Sequence, residues 1–361
     1  MDHTRTYVTP RALLSGQLAS NAVLEELAWP LTAGAGTLAF AMAEVTTVSG
    51  GSVETVLVSR DQHTKAPGLV DKAGGSFSAR LQVFGQSLTK FAGIDLRHRT
   101  VMGVVNVTPD SFSDGGEFQY PGSAIEHGLS LWRSGAAIID VGGESTRPGA
   151  APVSKDDEIA RVVPVVRELA ASGVCVSIDT RHAPVMAAAI EAGASIVNDV
   201  TALTGDQNSL RVVADAGVAV ILMHMQGEPQ TMQNNPQYVW APGDVFDFLE
   251  RQIAACIAAG VAQHNIAVDP GIGFGKTVSH NAEIMDHLNL FHGLGCPLVF
   301  GASRKSFIAR MSKGEAASER LPGSLAAALH AAQCGAHVLR VHDVAETQQA
   351  LSVAKQLSRN S

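Results

Sequence analysis

Carboxylate, amide and cationic side chains recur in this chain at one kind of position, the end of a short aliphatic run. VMGVVN stops at Asn106, AAIID at Asp140, VCVSID at Asp179, and SIVND at Asn198 and Asp199. AVILMHM carries His224 between Met223 and Met225, IAVD stops at Asp269, PLVFGASRK reaches Lys305, and HVLRVHD carries Arg340, His342 and Asp343. Asp179, Asn198 and Asp269 are rich in acceptors, and buried carboxylates are rarely left unpaired. A donor-rich heterocycle gripped along its edge suits all three. A Mg²⁺ cage would want its oxygens closer together, with water, and internal salt bridges are the purely structural alternative. Met223 and Met225 could wall such a pocket with soft side chains, while His224 also reads as a hydrogen-bonded core histidine.

The cations suggest an anion. Arg147 lies in IIDVGGESTRPGA, where Gly142 and Gly143 let backbone approach a ligand and Pro148 holds the preceding residue extended. Arg147 can fork onto a phosphate, or it is simply a surface arginine in a turn. With Arg340 and His342 it forms the predicted anion cluster. The segment 106–116, NVTPDSFSDGG, carries Asp114 and sets Phe112 between two serines, which suits a mobile lid better than a solvated surface loop. DPGIGFGK, at 269–276, invites a phosphate-loop reading that fails, because Pro270 stands where GxxxxGK[ST] needs glycine. It reads instead as a glycine-rich turn presenting Phe274 to an aromatic ring. Lys305 reaches into the site and Arg304 ties down its own loop.

Elements must position these residues. The eight runs alternate with helical segments at 123–134, 156–172, 184–192, 209–216, 243–259, 281–292, 323–334 and 344–357. Eight strands and eight helices in about 260 residues predict a (β/α)8 TIM barrel, whose active sites open at the C-terminal strand ends and whose phosphate sites follow strands seven and eight. The rival, an open doubly wound sheet, seldom places polar residues on every strand end. Residues 1–75 read as a small N-terminal α/β extension: a helix over 12–27, strands at 38–48 and 52–59 around a Ser49-Gly50-Gly51 hairpin, and a Pro/Gly-rich linker at 66–75. Residues 76–95 read as a connecting helix and lead-in strand, with Ser76 as N-cap and Phe77, Leu81, Phe84, Leu88 and Phe91 as one apolar stripe docking the extension on the barrel of 96–361.

A net charge of −8 argues against a nucleic-acid or anionic-membrane partner. No apolar run reaches the roughly 18 residues of a membrane helix, and the start lacks a secretory core. Cys175, Cys256, Cys296 and Cys334 are scattered, as small core residues of a reducing cytoplasm would be.

Together VMGVVNVTPDSFSDGG, IIDVGGESTRPGA, VSIDTR, VNDV, LMHMQG, DPGIGFGK, GASRKS and RVHDV, spanning 96–357 in order, resemble the dihydropteroate synthase family, the folate-pathway enzymes inhibited by sulfonamides. Ile272, where many members carry an aromatic, is a minor departure. The resemblance implies transfer of 4-aminobenzoate onto 6-hydroxymethyl-7,8-dihydropterin diphosphate, giving 7,8-dihydropteroate and diphosphate. It also implies that Asp179, Asn198, Asp269 and Lys305 hold the pterin edge and that Met223 packs on its face. Asn106 would coordinate Mg²⁺, Arg147, Arg340 and His342 would bind diphosphate, and Thr146 would touch the diphosphate or methylene. Phe274 and Pro148 would sandwich the aminobenzoate, Ser306 would meet its carboxylate, and Asp114 would lie near the incoming amine. Catalysis would fall to Asp114, Asp179 and Lys305, in a cytoplasmic homodimer built through the last two helices. The competing readings are a methyltetrahydrofolate-dependent methyltransferase, which would leave the anion cluster unused, and a catalytically silent pterin-binding paralogue.

Overall fold

The computed structural model describes residues 4–65, 76–107, 120–145, 153–228 and 231–358. Eight short parallel strands make its centre: β7 (Thr100–Asn106), β8 (Ile138–Gly142), β9 (Cys175–Asp179), β10 (Ile196–Asp199), β11 (Ala219–Met223), β12 (Ile266–Asp269), β13 (Val299–Phe300) and β14 (Val338–Val341). The sheet runs β12-β11-β10-β9-β8-β7-β14-β13. An isolated parallel bridge between Val268 and Leu298 joins its two ends, so the sheet closes into the expected barrel. Strands buried on both faces need unbroken apolar runs, which is why these segments read as continuous Val, Ile and Leu.

The barrel helices follow the predicted segments closely. One of them, Ser209–Ala216, matches to the residue, and Gly217 ends it in the left-handed conformation, φ 65°. Another, Lys155–Ala171, starts where Ser154 accepts a hydrogen bond from the Asp157 amide, with Asp156, Asp157 and Glu158 in its positive first turn. The segment predicted at 281–292 is instead a helix over Val278–Asp286 followed by a 3₁₀ turn over Leu288–Leu294.

The extension is a sheet of β1 (Arg5–Ser15), β2 (Trp29–Pro30), β3 (Leu38–Ser49) and β4 (Ser52–Ser59). The helix expected over 12–27 is shorter, Gly16–Leu24, because residues up to Ser15 pair antiparallel with β3 from Arg5↔Val48 to Ser15↔Leu38. Leu14 and Leu18 fit a helical spacing equally well, and the long-range ladder decides between them. The hairpin between β3 and β4 turns at Gly50 and Gly51, both at positive φ, as predicted. The linker expected at 66–75 lies outside the described residues.

The apolar stripe divides between two cores. Its helix, Ser76–Phe84, stops at Gly85, and Phe77 and Phe84 are buried with Leu31, Leu38 and Phe40 of the extension. Phe91 instead lies in a hairpin of β5 (Lys90–Phe91) and β6 (Ile94–Asp95) and packs with Leu96, Met102, Ile138 and Ile221 inside the barrel, away from the polar strand ends. Docking on the barrel flank is completed by Arg80, which donates to the Gly293 carbonyl and pairs with Glu250 at 2.6 Å.

Candidate active site

Register aligns the polar strand ends at one level. Asn106 faces Gly142, Gly142 faces Asp179, Asp179 faces Asn198, and Met223 faces Asp269. Across this ring Arg340 Nε donates to Asp140 Oδ2 and Arg340 Nη2 to Asp179 Oδ2, each at 2.6 Å. Asn198 Nδ2 donates to the same Asp140 oxygen at 3.1 Å. Asp140, noted in the sequence as one more carboxylate and given no role, is therefore the hub. It is fully buried, and its Oδ1 has no hydrogen-bond partner among the described residues. Arg340, expected with Arg147 and His342 in an anion cluster, instead joins the strand-end acceptors Asp140 and Asp179, and Gly301 lies between Arg340 and Asp269: a Cβ there would lie 3.6 Å from Arg340 Cβ and 3.7 Å from Asp269 Oδ2.

Two carboxylates share one guanidinium, Asp140 wholly buried and Asp179 largely so. Burial raises the Asp179 carboxyl to about 7, with Arg340 opposing the rise and Asp140 adding to it. Burial would lower Arg340, but the charges of Asp140 and Asp179 outweigh it and hold the guanidinium above its ordinary value. The structural alternative, salt bridges inside the barrel, thus describes Arg340 as the molecule stands. Asp269 is raised by burial, against the pull of Lys305 and the Gly271 amide, which donates to its Oδ1 at 2.7 Å. Lys305 is pushed down to about 8 by burial, with Asp269 resisting. Asp199, beside Asn198, has a different job: it accepts from the Thr201 amide and hydroxyl and the Leu203 amide, and so fixes the turn after β10.

Beside this network lies an aromatic platform. The Lys305 ammonium sits 4.5 Å from the centre of the Phe274 ring and donates to the Ile272 carbonyl at 2.6 Å. Ser306 is exposed at the start of the helix Ser306–Met311 that follows Lys305. Arg304, at φ 58°, ties its loop to Asp343 as expected. His342 Nδ1 lies 3.1 Å from the Ser303 hydroxyl. Asp114, Thr146, Arg147 and Pro148, with the lid residue Phe112, fall outside the described residues, so the anion cluster is seen only through Arg340 and His342.

Two further features escaped the sequence. Glu144 accepts from Arg181 Nε at 3.1 Å and from the Val153 amide at 3.3 Å. Lys276, 2% exposed, lies 2.9 Å from His224 Nδ1 and donates to the Gly271 and Phe274 carbonyls at 2.9 and 3.0 Å, so it is committed to the protein interior rather than to a phosphate. The position of Arg181 just after VSIDT was a usable signal for the first. Nothing in the sequence pairs residues 224 and 276.

A family model described as pterin binding enzyme matches residues 102–342. The dihydropteroate synthase of Escherichia coli K12 is 47% identical over 263 residues, covering 73% of this chain and 93% of that one. Among solved structures, Yersinia pestis dihydropteroate synthase with a sulfonamide drug superposes with a TM-score of 0.70 at 43% identity, over 74% of this chain and 97% of that one. The Xanthomonas albilineans enzyme in complex with 7,8-dihydropteroate superposes with a TM-score of 0.67 at 42% identity, over 73% and 95%. The matched region begins after the N-terminal extension. With the ring of strand-end acceptors and the flanking lysine already in view, these matches show that the chain belongs to the pterin-binding enzymes, as a member of the dihydropteroate synthases.

Proposed function

We propose that this protein joins 6-hydroxymethyl-7,8-dihydropterin diphosphate to 4-aminobenzoate, releasing diphosphate and 7,8-dihydropteroate for folate biosynthesis. The observation that carries the reading is the network of Asp140, Asp179 and Asn198 joined through Arg340, with Asp269 at the neighbouring strand end and Lys305 over Phe274. Asp179, Asn198 and Asp269 accept from the amino and ring N–H groups of the pterin, Lys305 donates to its edge, and Met223 packs on its face. Arg340 and His342, with Arg147 and Thr146, take the diphosphate. Phe274 and Pro148 hold the aminobenzoate ring, Ser306 meets its carboxylate, and Asp114 lies by the amine.

The bond that breaks joins the pterin methylene carbon to a diphosphate oxygen, and the oxygen keeps the electron pair. The amine nitrogen of aminobenzoate then bonds to that carbon and loses a proton. A loose, cation-like transition state follows, stabilised by the buried carboxylates on the pterin side and by the cations on the leaving side. Mg²⁺ bound there would neutralise the departing charge. Mg²⁺ is typically held by one or two protein oxygens with water and substrate phosphates, and an amide oxygen at a strand end suits that role. Asn106, at the end of β7, would supply the protein oxygen.

We also propose a cytoplasmic homodimer. Free thiols at all four cysteines support the compartment. The exposed Val353 and Leu357, one turn apart on the last helix, support the pairing face. The decisive experiment is diphosphate release from the dihydropterin substrate with 4-aminobenzoate and Mg²⁺. Folded protein that releases none would overturn the activity.

A further inference from the structure

The loop between β12 and the helix at Val278–Asp286 is organised around its carbonyl groups. All five from 271 to 275 accept from side chains of other residues: Gly271 and Phe274 from Lys276, Ile272 from Lys305, Gly273 from Gln233, and Gly275 from Tyr238, at 2.6 to 3.0 Å. The alternating glycines make this possible. Gly271, Gly273 and Gly275 all have positive φ, and a Cβ would lie 1.9 Å from the His224 carbonyl at 271 and 2.3 Å from the Gln226 carbonyl at 275. The loop is thus laid directly on the segment that follows β11.

Lys276 is the buried knot of that arrangement. Its fourth contact, to the His224 carbonyl at 3.3 Å, completes a set of partners that are all neutral. Burial holds Lys276 itself well below its ordinary value, with Asp269 opposing, and the direction of its contact with His224 Nδ1 follows the imidazole tautomer. Burial and the neighbouring Lys276 charge hold His224 well below its ordinary value, in keeping with a neutral ring. Burying an ammonium without a carboxylate partner is costly. A methionine would fill the same volume, so packing alone gives no reason for a lysine here. What the lysine fixes is the pair of carbonyls on either side of Ile272 and Gly273, and thereby the placing of Phe274 under Lys305.

We infer that Lys276, acting through His224 and the Gly271 and Phe274 carbonyls, is a positioning residue for the aminobenzoate half of the site and not for the pterin half. This rests on the proposed assignment of Phe274 to the aminobenzoate ring. The test compares wild type, Lys276→Met, His224→Leu and His224→Gln, the last keeping an acceptor for Lys276. Lys276→Met and His224→Leu should raise KM for 4-aminobenzoate about tenfold while the Kd of the dihydropterin diphosphate stays within about threefold, and His224→Gln should recover most of the loss. Equal weakening of both substrates, or an unchanged KM, overturns the inference. If Lys276→Met does not fold, Gln233→Ala and Tyr238→Phe, at half-buried positions, should give the same split at about threefold, and its absence is equally decisive. Hydrogen exchange of the 270–276 peptide in substrate-free protein separates this inference from the proposed activity. Exchange should quicken in Lys276→Met, or in the Gln233 and Tyr238 variants, whether or not wild type turns over, and unchanged exchange refutes the positioning role.

Discussion

At two of the places where arginines meet carboxylates in this molecule the consequences are opposite. Where the extension docks, Arg11 bonds Glu44 and Asp286 at 2.8 Å each, and His287 lies 2.8 Å from Glu44. Burial would raise both carboxyls, yet Arg11 outweighs it and holds each below its ordinary value. At the barrel rim Arg340 bonds Asp140 and Asp179 at 2.6 Å each, but Asp140 is wholly buried beside Asp179, and Asp179 rises to about 7. The docking pairs are nearly satisfied, and Asp286 is largely open to water. The rim is under-compensated, and a ligand rich in N–H donors can supply what it lacks. Residue type does not separate a fastening from a site; the balance of desolvation against partners does.

The most severe way to probe that contrast is Arg340→Met. Stranding two buried carboxylates should cost about 3–5 kcal/mol, read from urea unfolding, and turnover should vanish. A loss no greater than at the docking face would erase the distinction. Next, Lys305→Ala should lower kcat/KM by about 10²–10³-fold with Tm nearly unchanged, and a near-normal rate would remove Lys305 from the site. The pH profile sharpens the comparison further. Activity should climb as Asp179 ionises near 7 and decline as Lys305 deprotonates near 8, by about tenfold per pH unit on either side. The sign for stability is the reverse on the acid limb. Because the folded Asp179 holds its proton to higher pH than the unfolded chain does, its contribution is complete below the unfolded value and is lost as pH rises through about 7. The smallest effect belongs to the docking face, where Arg11→Met should cost about 1–3 kcal/mol and leave the pH profile of activity unmoved. A shifted profile would mean that the extension reaches the chemistry.

Strand ends were the most legible part of the sequence, because a buried parallel strand leaves a plain apolar run and a polar stop. Asp179, Asn198, Asp269, Lys305 and Arg340 were found that way. Partnerships were less visible. Asp140 stood among the strand ends, but only three-dimensional register shows Asn198 and Arg340 converging on one of its oxygens. DPGIGFGK displayed its glycines openly, yet their reason, the backbone of the neighbouring loop, lies across the barrel wall. In the extension, Leu14 and Leu18 suit helix or strand locally, and pairing of Leu14 with Ala39, 25 residues on, settles where the strand ends. The stripe from Phe77 to Phe91 has one spacing but serves two cores, a division that periodicity cannot reveal.

The barrel closes between β12 and β13 on the thin bridge of Val268 to Leu298, reinforced where the Val268 amide donates to the Pro297 carbonyl at 2.9 Å. Phe274 follows one side of that joint and Lys305 the other, with the lysine already reaching across to Ile272. A molecule wedged between them would stitch together the two strands that the sheet itself holds most loosely, so that occupancy would complete the architecture as well as begin the reaction.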